Sequence, residues 1–259
     1  MSLSLLIASV SMILSPGCAG SDDAACCSEA ESACVETCEE SSKATPWVLR
    51  VGGEAEGELV EREGKDGTLY AAGLVSTETN IPVGYPVPTP PGAIEVKFYP
   101  SVRRAEFSNE SKAGPTGSFG FFPLFQHISR NNIAMTSPVE MEQADTDNDS
   151  VVDQSTMAFL YHTTDDGPTG EDGLVKIVDT EPRVWLSIGV RGQREANDWQ
   201  PQADKLIDWL DTQSAWVRDG EARVLGYNGP YVPRNEQWWE VQIPVKPGDS
   251  PKADAPKSE

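Results

Sequence analysis

Phe121, Leu124, Phe125 and Ile128 stand at i, i+3, i+4 and i+7, the spacing that gathers apolar side chains on one face of a helix. Asn131 and Asn132 close that run, because Asn tolerates the left-handed conformation that ends a helix. Beyond them Ile133 to Val139 reads as a short, buried, extended segment, since Pro138 turns the residue before it away from helical geometry. A second helix is predicted over Pro201 to Ser214, where Ala203, Leu206, Ile207 and Leu210 repeat the same spacing and Pro201 suits a first turn. Alternating or continuous apolar runs predict strands over Ile94 to Ser108, Met157 to His162, Arg183 to Gly192, Arg223 to Tyr227 and Trp238 to Ile243. Strand, helix and strand thus recur in the same order. The pattern predicts a pseudo-twofold α+β domain in which both helices pack on one curved antiparallel sheet.

Outside that core the patterning weakens. Trp47 to Ser76 holds alternating stretches, WVLRV and GTLYAAGLV, on either side of the EGKDG turn, which suggests a few strands. Ile81 to Gly92, IPVGYPVPTPPG, is expected to be extended and semi-rigid and to lead into the core. Lys246 to Glu259 has no apolar run and reads as a disordered tail. At the other end Leu3 to Leu14 is uncharged and apolar but too short to cross a bilayer, as expected of a secretory h-region. Pro16 and Gly17 then precede Cys18, an arrangement that resembles a bacterial lipoprotein signal whose cysteine is lipidated, with Leu14 one place early and Ser15 where Leu is usual. Export, and a membrane anchor through Cys18, are therefore expected, against the plainer reading of an unmodified thiol. The expected divisions are a signal over 1–18, an acidic cysteine-bearing stalk over 19–46, weak strands and a proline-rich linker over 47–92, a ligand-binding domain over 93–245, and the tail over 246–259.

Composition narrows the partners. A formal charge of -21 and a pI near 4.4 argue against nucleic acid, whose phosphates repel such a surface. Cys26, Cys27, Cys34 and Cys38 remain beside Cys18, an even number that suits two disulfides among three connectivities in an oxidising compartment. Cys34 and Cys38, four apart on a possible helix, leave a metal or heme site as the alternative. Asp145, Asp147, Asp149 and Asp153 fall on calcium-loop positions, but Ser150 replaces the turn glycine and Thr156 the bidentate Glu, so a solvated acidic insertion is the default. No Ser/His/Asp order, nucleotide loop or HExxH motif is present, and two histidines leave little for general-base chemistry. An enzyme is the weaker class.

The segment IAMTSPVEM, following a helix that ends in Asn131 and Asn132, resembles the signature of the SOUL family of heme-binding proteins. Ile94 to Ser108 resembles that family's opening strand pair, and Thr156 to His162 the strand after the signature. Gly229 to Val245 resembles its closing segment, with Arg234 alone where the family often carries two arginines. The resemblance implies a distorted barrel of two β-α-β-β halves with a cleft, and binding of heme or a related tetrapyrrole in an apolar part of it. Heme needs an apolar slot, cations for its propionates and often an axial ligand. The candidate cofactor-binding residues are accordingly His127, Phe125, Ile128, Met135, Arg103 and Arg104, with Lys97 as a further cation and Met141 as a further sulfur. Each has a plainer role: a half-exposed helix histidine, core apolar residues, and arginines paired with the surplus carboxylates. Arg234, Asn235 and Glu236 read first as a structural knot. A binding module or sensor for another small amphipathic ligand is the alternative function, and a tetrapyrrole-modifying enzyme a third.

Overall fold

The computed structural model describes residues 45–65, 67–109, 117–144, 154–192 and 199–248. The expected signal with Cys18, the cysteine stalk, the aspartates of the acidic insertion and the tail beyond 248 lie outside the described residues. In chain order the elements are β1 (Trp47–Gly53), β2 (Leu59–Glu63), β3 (Thr68–Ala72), β4 (Val75–Ser76), β5 (Ala93–Tyr99), β6 (Arg103–Asn109), α1 (Gly117–Arg130), β7 (Val139–Ala144) and β8 (Gln154–Leu160). They continue with β9 (Gly170–Asp172), β10 (Val175–Asp179), β11 (Arg183–Arg191), α2 (Gln200–Asp211), β12 (Trp216–Arg218), β13 (Arg223–Gly226) and β14 (Trp238–Pro247).

The main sheet is antiparallel and open, in the order β1-β5-β11-β14-β13-β7-β8-β6-β10-β9, with β12 on the end of β14. The expected twofold is explicit in that order. β6-α1-β7-β8 and β11-α2-β13-β14 each place their last strand between the other two, and the halves meet where β7 pairs with β13, Met141 opposite Val224. The flanking strands are exchanged: β5, which precedes β6, pairs with β11, and β10, which precedes β11, pairs with β6. Ile94 to Ser108 is therefore two consecutive strands that do not pair with each other, although the sequence read them as one pair.

Both helices lie on one face of the sheet. The α2 side buries Val96, Leu186, Leu206, Leu210, Val241 and Ile243 in one cluster, and the α1 side buries Ala105, Leu124, Ile128, Phe159 and Ile177 in another. Alternate strand residues point the other way. Tyr99, Trp185, Leu225 and Trp238 face the concave side and pack there with Tyr70, Val75, Ile81 and Tyr85. The segment expected to lead into the domain is thus part of its core.

The proline-rich stretch 81–91 lies across the concave face as a strap, with Pro82, Pro86, Pro88, Pro90 and Pro91 all buried. Prolines suit this position because each removes a backbone donor that would otherwise need a buried partner. The sheet meets several of the remaining groups: Thr89 donates its N–H to Glu240 at 2.7 Å, its carbonyl accepts from the Trp238 indole at 2.9 Å, and the Val87 carbonyl accepts from Lys97 at 2.7 Å. Gly189 permits the approach, since a Cβ there would stand 2.2 Å from the Thr89 carbonyl oxygen.

Candidate functional site

Two places differ from ordinary core or surface. One is the part of the concave face that the strap leaves open, a cleft of about 460 Å³. Its walls come from β5, β6, β7, β10, β11 and β13, with Tyr85 of the strap, and include Tyr99, Trp185, Arg104, Glu140, Glu142 and Arg223. Strand alternation aims these polar residues inward while their neighbours face the helices. At the floor Glu140 is fully buried and accepts from Arg223 Nη1 at 2.9 Å, Arg104 Nη1 at 2.8 Å and the Tyr85 hydroxyl at 2.9 Å. Burial alone would raise the Glu140 carboxyl, but the guanidinium groups of Arg223 and Arg104 hold it below its ordinary value. Arg104 also binds Glu142 at 2.7 Å and Glu106 at 3.1 Å.

A second buried carboxylate lies beneath the strap. Glu240 and Lys97 pair at 3.3 Å with no exposure of either side chain, and Glu240 also accepts from Ser187, Tyr227 and Gln242 at 2.5, 2.7 and 2.8 Å. Burial raises the Glu240 carboxyl, and Lys97 with these donors outweighs it, so the group lies below its usual value. A charge pair this deep is tolerated only when the hydrogen bonds around it are made, as they are here.

The other place is the outer surface of α1. Phe121, Phe122 and Phe125 are 41%, 68% and 46% exposed. Phe121 and Phe125 stack at 5.9 Å, and Phe121 is anchored edge-on to Phe159 at 5.2 Å. The helix ends as its sequence requires, with Asn132 at φ 54°.

The six candidate residues are not gathered in one cavity. Phe125 points outward, whereas Ile128 is buried and Met135 half-buried in the cluster beneath α1. His127 is buried as well, with Nδ1 2.6 Å from Asp172 Oδ2 and Nε2 2.8 Å from the Tyr161 hydroxyl. An ionised carboxylate can only accept, so Nδ1 donates its proton to Asp172, and Nε2 shares a hydrogen bond with the Tyr161 hydroxyl. Both ring nitrogens are committed, and axial ligation would have to break one of these bonds. Burial pushes the Tyr161 phenol up, and Asp172 adds to this against the pull of Arg103. Asp172, bonded by His127 and Arg130, is lowered to about 2. Arg103 is spent on Asp179, which it meets with two 2.7 Å bonds, and on the carbonyls of Thr164 and Gly167. Arg104 is spent on three glutamates, while Met141 faces the α2-side cluster. Arg234, Asn235 and Glu236 form an exposed turn of 3-10 helix before β14.

Sequence reasoning did not single out Glu140, Glu240 or Arg223. The available signal was WWEVQIPV, a continuous apolar run interrupted by Glu and Gln, as in a strand covered on both faces. Among the described residues no cluster of His, Cys, Asp and Glu could hold a metal ion.

An open antiparallel sheet of two β-α-β-β halves, with two helices on one face and a cleft on the other, defines an α+β class of fold. The family described as SOUL heme-binding protein matches residues 83–244, and the chain belongs to that family. Among solved structures, the EcmrR C-terminal domain is similar at 11% identity with a TM-score of 0.46, covering 60% of this chain and 97% of that one. A hydrolase encoded by lin2189 from Listeria innocua is similar at 12% identity and a TM-score of 0.45, covering 62% and 94%. SAV2435 bound to tetraphenylphosphonium is similar at 9% identity and a TM-score of 0.35, covering 58% and 92%. No curated protein matches the sequence.

Heme can be tested against both places. The cleft is walled by ten charged side chains, Arg104, Glu106, Glu140, Glu142, Lys176, Asp179, Glu181, Arg183, Glu221 and Arg223, and a macrocycle pushed among them would strip water from charges without replacing it. The α1 face fits better: its rings offer the flat apolar contact that a porphyrin face requires.

Proposed function

We propose that this chain is an exported protein, anchored to a membrane through Cys18, that carries heme or a related tetrapyrrole on the aromatic face of α1. Membership of a heme-binding family supports the ligand class, and the observation that carries the location is the exposure of Phe121, Phe122 and Phe125 on one helix. Leaving such rings in water is unfavourable, by about 25 cal/mol per Å² of apolar surface, and a macrocycle stacked on them removes that cost. When bound, the group brings a planar conjugated face and a metal. Phe122 and Phe125 would hold the face, Phe121 would brace them against Phe159, and His127 would supply no axial ligand, because it points inward to Asp172 and Tyr161.

Hemin titration, followed at the Soret band, tests this directly. Saturation at a single heme per chain is expected, with a spectrum unchanged by His127→Ala and affinity lost in the double variant Phe122→Ser, Phe125→Ser. Linear, unsaturable absorbance from the unaltered chain removes heme from the function. The alternative, a small amphipathic ligand of another kind, is then favoured by the cleft, whose mixture of aromatic and charged walls suits it. Export and anchoring are read separately, by incorporation of labelled fatty acid into the chain in cells and its loss in Cys18→Ser.

A further inference from the structure

The guanidinium of Arg223 sits in an arrangement that, in a receptor, would hold a ligand. Its carbon lies 3.8 Å from the Trp185 ring centroid and 4.9 Å from that of Tyr99. Nη1 donates to Glu140 and Nε to Gln242, each at 2.9 Å. Nη2 is buried and has no hydrogen-bond partner. An arginine held only for structure, in a cleft this rich in carboxylates, would be expected to place every nitrogen on an oxygen. Here one nitrogen is left to the ring faces, which attract a cation through their quadrupoles. Tyr85 completes the arrangement by packing edge-on to Tyr99 at 4.8 Å while bonding Glu140 at 2.9 Å.

Two aromatic walls and a buried carboxylate are the parts of a site for organic cations, and the chain fills that site with its own side chain. We propose that Arg223 is the resident occupant of a cation cage made by Tyr99, Trp185 and Glu140, and that it sets the specificity of the cleft. With the guanidinium in place the cleft refuses organic cations, and without it the same three residues bind them. The inference is independent of tetrapyrrole binding, which concerns the opposite face of the sheet.

The cage is built to survive removal of its occupant. Glu140 keeps Arg104 at 2.8 Å and the Tyr85 hydroxyl at 2.9 Å, so Arg223→Ala does not leave it unpaired. N-ethylguanidinium carries the atoms that this substitution deletes beyond Cβ, and N-ethylurea has nearly the same shape without the charge. Calorimetric titration of the purified chain is expected to show saturable, millimolar binding of N-ethylguanidinium to Arg223→Ala. N-ethylurea should bind about tenfold more weakly or not at all, and neither should bind the unaltered chain. Equal binding of the two compounds would mean that a hole is being filled, and the cage would be refuted. Equal binding of N-ethylguanidinium by the variant and the unaltered chain, or none by a variant with native circular dichroism, overturns it as well. If Arg223→Ala does not fold unaided, the readout becomes refolding yield in the presence of each compound, and a yield no higher with the guanidinium than with the urea again refutes it.

Discussion

α1 and α2 occupy equivalent positions in the two halves, each crossing the same face of the sheet after the first strand of its β-α-β-β unit, yet they are dressed differently. α2 buries Ala203, Leu206 and Leu210 and has only charged and polar residues fully exposed apart from its first-turn Pro201. α1 buries Leu124 and Ile128 by the same spacing, then adds three phenylalanines on its outer surface. Packing accounts for the first set in both helices. It does not account for the second, because among the described residues those rings remain largely exposed, with Phe121 edge-on to Phe159 as their anchor. Where symmetry-related elements share a structural task, what only one of them carries is the better guide to function.

The same contrast extends to the buried carboxylates. Glu140, in the α1 half, is paired with two arginines, whereas Glu240, in the α2 half, has Lys97 at 3.3 Å as its cation. Lys97→Ala leaves Glu240 charged beneath the strap with hydrogen-bond donors but without its Lys97 cation, and about 3–5 kcal/mol of stability should be lost. Arg104→Ala leaves Arg223 in place and should cost clearly less, which urea unfolding of the two variants will show. Leu206→Ala and Leu124→Ala, both at positions with no exposure, should each cost about 2–5 kcal/mol and by similar amounts, since the inner faces of the helices do the same work. A large inequality would break the comparison there.

Acid separates the halves more gently. Asp172 fastens the end of α1 through His127 and Arg130, whose hydrogen bonds hold its carboxyl below the ordinary carboxylate range, at about 2. A lowered carboxyl stabilises the fold above its unfolded value and loses that contribution as pH falls through the folded one. The tie should therefore be intact above about pH 4 and weaken toward pH 2, and the difference in stability between the unaltered chain and Asp172→Asn should shrink over that window. The smallest effect on folding is expected at the outer face: Phe122→Ser should change stability by no more than about 0.5 kcal/mol while weakening hemin binding. A stability loss as large as that of Leu124→Ala would show that the ring is core after all.

The local parts of this fold were legible in the sequence. Apolar spacing gave both helices, the paired asparagines gave the end of α1, and the recurring order of elements gave two halves on one sheet. The parts that were not legible depend on partners far along the chain. Alternation in β5 places Glu95 and Lys97 opposite Val96, which reads as one wet face and one dry face. The strap covers that face over Lys97 and Glu240, and Trp185 and Tyr99 enclose Arg223, so all three are buried charges rather than solvated ones. The same distance effect governs the candidate residues: Arg103 and Arg104 are committed by carboxylates on β7 and β10, and His127 by Asp172 and Tyr161, which no spacing within α1 reveals. Phe125 could be placed on an apolar stripe by its spacing, but the side of the helix left uncovered is fixed only by the sheet.

The strap also dictates an order of events in folding. Thr89 is made long before Glu240, the residue that takes its N–H, 151 positions later. Contacts so far apart in sequence form late, after the loop between them has been closed at an entropic cost. Until β14 joins the sheet, the Thr89 N–H of the strap has no Glu240 carboxylate to bind. The α1 half alone therefore stops short of the native state, and completion of the fold waits on β14.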